Sequence, residues 1–124
     1  MEKYISLAHG DGGEQSHRLI RDLFVEAFGD GKAAMFDAAE ITLTSQQIAV
    51  STDSFVIKPI FFPGGSIGKL AVAGIVNDLA VSGAKPAFLT CGFVIEEGFP
   101  ISDLKKIVND MAIEARKTGV AIVA

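Results

Sequence analysis

The stretch from residue 66 to 82 constrains the fold of this chain more than any other. Its apolar side chains leave no wide polar face, and Gly83 behind it is a typical helix stop, so the pattern predicts a buried helix from Ser66 to Ser82. Four small residues keep this helix slim enough for close packing: Ala71, Ala73, Gly74 and Ala80. A helix without a polar face must be covered by other elements. The chain has 124 residues, 49% of them hydrophobic, which is enough for one compact domain with a single core.

The other elements are predicted from the periodicity on either side of this helix. One helix begins at Glu14 and stops at Gly29, and an amphipathic helix is capped by Ser102 or Asp103 and ends near Gly119. Alternating side chains predict four strands, the first two of them paired as an antiparallel hairpin. These strands lie at residues 41–44, 47–55, 87–95 and 120–124.

This order of elements favours an α+β fold with α/β layering, in which helices pack on one face of a mixed sheet of about four strands. Residues 29–36 are predicted to be a connection. Residues 58–68 contain no regular element in this interpretation, because prolines and glycines interrupt them. The other sheet face still carries apolar side chains such as Ile48, Val50 and Phe88, so it needs a cover from a partner chain or from residues outside this chain.

Charge and composition exclude several classes of protein. A formal net charge of -4 and a pI near 5.0 argue against a nucleic-acid binder, which needs a basic face. The first fifteen residues contain charged side chains and no long apolar run, so we expect neither a secretory signal nor a membrane span. The single cysteine, Cys91, excludes an internal disulfide and a cysteine zinc site, and it reads as a small buried strand residue. We therefore expect a soluble, cytoplasmic protein.

Two carboxylates stand at the ends of predicted elements, on either side of a glycine-rich turn. Asp53 lies near a strand end, where an acid is more often a solvated surface group than a ligand. Asp78, beside Asn77, falls in the last turn of the buried helix, where the helix dipole disfavours a carboxylate by about 0.3–1 kcal/mol. The alternative is that Asp78 points to water beside Lys85. Because local propensity argues against an acid at this position, we favour a functional role for Asp78.

A glycine cluster precedes the first helix, at His9, Gly10, Gly12 and Gly13. Free N–H groups at a helix start attract anions, so the cluster is a candidate phosphate site. From spacing alone, a flexible glycine tail before an ordinary helix is an equally good interpretation. His9 and His17 could contact phosphate or nothing.

The pair Gly68 and Lys69 suggests a P-loop, but the motif fails on both sides. Pro63 stands where the motif requires its first glycine, and Leu70 stands where it requires a serine or threonine for magnesium. A Walker-type nucleotide site is therefore rejected.

The chain resembles the hydrogenase maturation factors of the HypE family in five segments that occur in the same order. They are LAHGDGG (7–13), STDSFVIKPIFFPGGSIGKLA (51–71), NDLAVSGAKP (77–86), CGFVIEEGFP (91–100) and the final AIVA (121–124). The family belongs to a superfamily with aminoimidazole ribonucleotide synthetase, selenophosphate synthetase and thiamine monophosphate kinase. The strand acid and the NDLA helix end are shared across that superfamily, whereas the second and fourth segments narrow the resemblance to HypE.

The resemblance implies a PurM-type (AIR synthase-like) fold that binds ATP and Mg²⁺. It assigns the metal positions to Asp37, Asp53 and Asp78, and it places residues 9–13 on a mobile glycine segment that closes over the phosphates. The candidate ATP- and phosphate-binding residues are His9, Gly10, Gly12, Gly13, Lys69 and Asn77. The chain departs from the family at Phe36, where many relatives carry a second acid beside the position of Asp37.

The resemblance also implies an activity. HypE is an ATP-dependent carbamoyl dehydratase that converts a thiocarbamate on its own C-terminal cysteine to a thiocyanate, the source of the cyanide ligands of NiFe hydrogenase. Residues 1–124 would form a single N-terminal ATP-binding domain. The G-D-T-K segment, second domain and cysteine tail of the family do not occur after Ala124. We therefore assign no catalytic residue and expect this chain alone to be inactive.

The resemblance implies a homodimer whose sheets pair into a barrel, and partners among the other maturation factors, namely the carbamoyltransferase and the iron–cyanide scaffold proteins. One alternative is another ATP-dependent enzyme of the same superfamily. The other, from a different class, is a non-catalytic dimerisation and docking module of the maturation complex.

Overall fold

A computed structural model of the chain describes residues 2–29 and 37–124, so Phe36 and most of the predicted connection at 29–36 lie outside the described residues. The three predicted helices are confirmed to within three residues at each end. The first region consists of a 3-10 turn (Leu7–His9), α1 (Glu14–Leu19), a π-helical segment (Ile20–Val25) and α2 (Glu26–Phe28), and the two long helices are α3 (Ile67–Val81) and α4 (Ile101–Thr118). Within the described ranges, no helix combines the length and apolar character needed to cross a membrane.

The helices α3 and α4 pack against each other at the centre of the fold. Ser66 is fully buried and caps α3, because its hydroxyl accepts the Gly68 backbone N–H at 3.2 Å. Two residues further, Gly68 lies against the backbone of Ile107 in α4. The helix α4 ends at Gly119, whose φ of 74° is the left-handed conformation that glycine adopts without strain.

Two apolar clusters share α4 and make one continuous core. The first joins the N-terminal region to α4, through Ile5, Leu19, Leu23, Ile101, Leu104 and Val108. The second joins α3 and the last strand to α4, through Val72, Ile107, Met111, Ala115 and Val120. Three aromatic residues pack against both clusters: Phe28, Phe93 and Phe99. Each large buried side chain contributes about 1.5–3 kcal/mol through burial, so α4 is the element on which the others depend.

A tight hairpin occupies the segment predicted to be irregular. The strands β1 (Phe61–Phe62) and β2 (Gly65–Ser66) pair antiparallel across a two-residue turn. Pro63 fixes the first turn position and Gly64, with φ of 92°, supplies the positive φ that a type II turn needs at the second. The expectation of no regular element at 58–68 was therefore wrong, because the same residues that exclude a long strand favour this turn.

The third and fourth predicted strands are present but shorter. The strand β3 (Phe88–Leu89) pairs in parallel with β4 (Ala121–Ile122), and the Cys91 N–H donates to the Ala124 carbonyl at 2.8 Å. The predicted alternation is confirmed in side-chain burial. Odd-numbered residues from Leu89 to Ile95 are half-buried, whereas even-numbered ones from Phe88 to Val94 are exposed.

The predicted mixed sheet of about four strands does not form among the described residues. They contain two separate two-stranded sheets, and residues 41–55 belong to neither. All of residues 41–54 are exposed, and a hairpin that buries no face is only marginally stable in water. Without that sheet, the predicted apolar face stays a prediction, although several apolar side chains are exposed: Val50, Val56 and Val94 are 81%, 95% and 105% exposed.

The helix α4 begins earlier than predicted and without a side-chain cap. Pro100 holds the N-cap position, not Ser102 or Asp103. The chain start runs antiparallel beside this point: Ile5 N–H donates to Phe99 O at 2.8 Å, and Ile101 N–H donates to Lys3 O at 3.1 Å. One free N–H of the new helix is thereby satisfied by backbone, which replaces the expected side-chain cap.

Candidate functional site

The glycine segment, residues 8–13, has its own N–H groups largely satisfied. His9 and Gly10 N–H donate to the carbonyls of Ser6 and Leu7, each at 3.0 Å. Further along, Gly12 N–H donates to the Ser16 hydroxyl at 3.0 Å and Gly13 N–H donates to an Asp11 carboxylate oxygen at 2.7 Å. The segment is therefore a formed turn that leads into α1, not a loose tail.

His9 lies at the base of the glycine segment, where its ring is held by neighbours on both nitrogens. Its Nδ1 accepts the Ser6 backbone N–H at 3.0 Å, and its Nε2 lies 3.7 Å from a Glu2 carboxylate oxygen. The ring is 8% exposed and borders a cavity of about 20 Å³, large enough for one water, together with Gln15 and Arg18. The sequence interpretation missed this network, although the Ser6-x-x-His9 spacing matches a capping box. His17 is exposed.

Asn77 and Asp78 lie in the last turns of α3, as predicted. Asn77 is exposed and Asp78 is half-buried. The Ser82 hydroxyl donates to the Asp78 backbone carbonyl at 2.8 Å, so one of the free carbonyls at the helix end is satisfied without using the carboxylate. The Asp78 carboxylate is in none of the ion pairs among the described residues.

Asp53 and Asp37 lie in the exposed segment before β1. The Oδ1 atom of Asp53 accepts the neighbouring Ser54 N–H at 2.7 Å, and the Oδ2 atom does not take part in that bond. Over residues 2–29 and 37–124, no three carboxylate, imidazole or thiolate groups come together as a metal site. The described chain therefore does not by itself gather Asp37, Asp53 and Asp78 around one point.

The chemistry of these carboxylates still fits Mg²⁺. Magnesium prefers oxygen ligands and is commonly held by one or two carboxylates, with waters and substrate phosphates in the remaining positions. Asp53 and Asp78 have no cationic partner among the described side chains, so neither must break an ion pair to accept a metal ion. A two-carboxylate site completed by phosphate oxygens is compatible with the residues present.

Lys69 directly follows Gly68 in the first turn of α3. Its ammonium donates to the Gly64 carbonyl at 3.0 Å, across the β1–β2 turn. Lys69 also lines a surface cleft of about 390 Å³ with Asp110 and Lys117 of α4. A phosphate contact from Lys69 would have to compete with the Gly64 carbonyl for the ammonium group.

Cys91 is half-buried two residues after the end of β3, and burial raises the pKa of its thiol above the ordinary value. Cys91 packs against the cluster of Val72 and Met111, and among the described residues the polar contact of its sulfur is a long one of 4.0 Å, with the Gly92 carbonyl. A thiol with a raised pKa is a poor nucleophile near neutral pH, in agreement with a packing role.

Comparison with known proteins identifies the class to which this chain belongs. Residues 34–124 match the family described as AIR synthase related protein, N-terminal domain. Because the match covers most of the chain, the chain belongs to this family.

Within that family, the chain is similar to HypE proteins. It is 50% identical over 125 residues to the carbamoyl dehydratase HypE of Escherichia coli (strain K12) and 46% identical over 121 residues to that of Cupriavidus necator. Each alignment covers 96% of this chain, but 37% and 34% of the respective relative. The chain thus spans about a third of the length of the curated relatives that it matches.

Solved structures give the same result. A HypE structure in complex with ATP matches with a TM-score of 0.90 at 49% identity, over 94% of this chain and 35% of that chain. Escherichia coli HypE matches with a TM-score of 0.79 at 50% identity, over 87% of this chain and 36% of that chain. A chain from a HypE–HypF complex matches with a TM-score of 0.62 at 56% identity, over 86% of this chain and 34% of that chain. The PurM-like fold and the resemblance to the N-terminal part of HypE are confirmed.

Proposed function

We propose that residues 1–124 form the ATP- and Mg²⁺-binding N-terminal domain of a HypE-type carbamoyl dehydratase. The observation that carries this proposal is the TM-score of 0.90, at 49% identity over 94% of this chain, with HypE in complex with ATP. A likeness this extensive in both sequence and fold favours a HypE-type protein over another ATP-dependent enzyme of the superfamily.

In the proposed site, the carboxylates of Asp53 and Asp78 bind the metal ion, with Asp37 as a third ligand. The helix-end position of Asp78 supports this assignment, because a cation offsets the unfavourable placement of a carboxylate at the negative end of α3. Asn77 and Lys69 contact the nucleotide, and residues 9–13 cover its phosphates. Asp37 and Asp53 lie in an exposed segment that needs a second element to hold it beside α3.

The proposed reaction is a dehydration of a thiocarbamate on a cysteine in the C-terminal part of the whole protein. Magnesium ATP, when bound, supplies the phosphoryl group that converts the amide oxygen into a leaving group. That oxygen departs as phosphate, two protons leave the nitrogen, and the product is a thiocyanate. The residues of this chain contribute by positioning and by neutralising phosphate charge, which are the main requirements of phosphoryl transfer.

We also propose that the protein is a homodimer in which two exposed apolar faces pair as a barrel. The support is the number of large apolar side chains exposed in the two predicted strand regions, among them Ile48, Val50, Phe88 and Val94. Monomeric proteins rarely expose large contiguous apolar patches, so we infer that a partner covers these side chains. A second copy would also provide the element that holds the segment of Asp37 and Asp53.

The partners we propose are other hydrogenase maturation factors, including the carbamoyltransferase and the iron–cyanide scaffold proteins. The likeness to a chain solved in a HypE–HypF complex supports this part of the proposal. It also favours one alternative function, in which this chain is a docking module that binds no nucleotide.

Calorimetric titration of the chain with magnesium ATP tests the proposed site. We expect the wild type to bind, and Asp53→Asn and Asp78→Asn each to weaken binding by at least about tenfold, or 1.4 kcal/mol, through loss of a metal ligand. Asp22→Asn is the matched control, because the Asp22 carboxylate is already held by Arg21 at 2.7 Å. Unchanged affinity in both site variants would show that the carboxylates are wrongly assigned, and a wild type that does not bind would favour the docking function.

A further inference from the structure

The Ser16 side chain holds together the two ends of the turn at residues 9–11. Its hydroxyl oxygen accepts the Gly12 backbone N–H at 3.0 Å and lies 3.4 Å from the Ala8 carbonyl oxygen, to which the hydroxyl donates. One side chain therefore joins residue 8 to residue 12 within the glycine segment. Ser16 is only 5% exposed, so water competes little for these bonds.

Helix packing alone does not call for a serine at this position. Ser16 lies on the same face of the helical region as Leu19 and Leu23, which are both buried in the core. Alanine would suit such a face, because it has a higher helix propensity and no polar group to bury. Both hydrogen bonds of the Ser16 side chain go instead to the backbone of the glycine segment.

We propose that Ser16 is a positioning residue for the nucleotide site, and this inference rests on the proposed function. Its hydroxyl fixes the shape of the glycine segment without touching the nucleotide. Glycine loses more backbone entropy on ordering than any other residue, and Gly12 is held at a φ of 79°. A segment that is ordered before the ligand arrives avoids that cost at the moment of binding.

The fold of the whole chain is similar to that of HypE solved in complex with ATP. The match with HypE in complex with ATP covers 94% of this chain with a TM-score of 0.90, whereas the match with Escherichia coli HypE covers 87% with 0.79. In this chain both hydrogen bonds of the Ser16 side chain are formed. Both Ser16 bonds are thus observed in a chain whose overall fold is similar to that of HypE solved with ATP.

The test compares Ser16→Ala, Ser16→Thr and the control Thr118→Ala in the full 124-residue chain. Thr118 is a matched control because its partly buried hydroxyl also donates to backbone, at 2.9 Å to the Glu114 carbonyl, but in the last turn of α4. Three quantities are measured: the dissociation constant of magnesium ATP, the thermal midpoint, and the amide hydrogen-exchange rate of Gly12.

We expect Ser16→Ala to raise the dissociation constant about fivefold and the Gly12 exchange rate about tenfold, the size of one lost hydrogen bond. Ser16→Thr, which keeps the hydroxyl, should restore both to within about twofold of wild type. Ser16→Ala and Thr118→Ala should lower the thermal midpoint by similar amounts, because each loses one side-chain hydrogen bond to backbone. Only Ser16→Ala should change the dissociation constant.

Two results overturn the inference alone: wild-type ATP affinity in Ser16→Ala while the wild type binds, or unchanged Gly12 exchange in that variant. A loss of affinity in Thr118→Ala equal to that in Ser16→Ala also overturns it, because the effect would then follow stability. A wild-type chain that binds no nucleotide overturns the proposed function and the role of Ser16 together, so the two failures are distinguishable.

Discussion

Gly68 in α3 lies so close to Ile107 in α4 that no side chain fits between them. A Cβ added at Gly68 would overlap the Ile107 carbonyl oxygen and would come within 2.9 Å of Met111 Cγ. The carbonyl belongs to the backbone of a long helix and cannot move aside alone. The separation of the two central helices is therefore set by the absence of a side chain at this position.

Gly68→Ala should destabilise the fold by about 1–3 kcal/mol through overpacking, although alanine is the better helix former by about 1 kcal/mol. Gly74→Ala in the same helix is the control, because its Cβ would meet only the ring edge of Phe55, at 2.8 Å. Urea unfolding of both variants measures the difference. Equal stabilities would contradict the close approach of α3 and α4.

Ser66→Ala should cost about 1–2 kcal/mol, because the buried hydroxyl caps α3 by accepting the Gly68 N–H. Ser102→Ala, in the first turn of α4, should change stability by less than about 0.5 kcal/mol, since Ser102 is exposed and Pro100 holds the cap position. Thermal unfolding distinguishes the two. A large loss in the Ser102 variant would restore the sequence-based cap and contradict the observed helix start.

The helices were predictable because their signals are local. Ser66, Gly83 and Gly119 mark helix ends through side-chain and backbone chemistry that acts within a few residues. The start of α4 was not predictable in the same way, because backbone groups of Lys3 and Ile5, at the other end of the chain, replace the local cap. The predicted hairpin at 41–55 was wrong for a related reason. Alternation of side chains shows that a strand is possible, but it does not show which other element would cover the apolar face of that strand.

Val94→Glu should convert the proposed homodimer to a monomer, because it places a carboxylate within an apolar face that a second copy would bury. Val81→Glu is the control, since Val81 is 76% exposed but lies at the end of α3, outside the predicted strand at residues 87–95. Light scattering at micromolar concentration gives the mass of each. A wild type that is already a stable monomer, or a Val94 variant that stays dimeric, would count against the paired apolar faces.

Cys91 should make stability depend on pH in the alkaline range. Burial raises the pKa of its thiol in the folded chain, so the unfolded chain loses this proton at lower pH than the folded one. The contribution is complete below the ordinary thiol pKa of about 8.5 and is lost as pH rises through the folded value. Urea unfolding between pH 7 and 10 should show a steeper decline for wild type than for Cys91→Ala, and parallel declines would argue against burial of the thiol.

The sequence places the candidate site residues on their elements, but their assignment to one site stays a prediction. Asp78 stands out because an acid at the C-terminal end of a helix contradicts local propensity, and the glycines stand out because they precede the free N–H groups of a helix start. The bonds of Ser16 and His9 could not be foreseen, because they depend on how the glycine segment folds back on the helix that follows. Asp53 remains a predicted ligand, since the element that would hold its segment is not among the described residues.

The antiparallel contact of residues 3–5 with residues 98–101 also sets an order of events during folding. It joins the start of the sequence to the start of α4, so its formation closes a loop of roughly three quarters of the chain. Closing so long a loop costs chain entropy and slows this step. The glycine segment follows directly after it and should acquire its shape only when the start of α4 is in place. In a pulsed hydrogen-exchange experiment, we expect the Gly12 amide to become protected no earlier than the Val108 amide, so the nucleotide site would be among the last parts of the chain to mature.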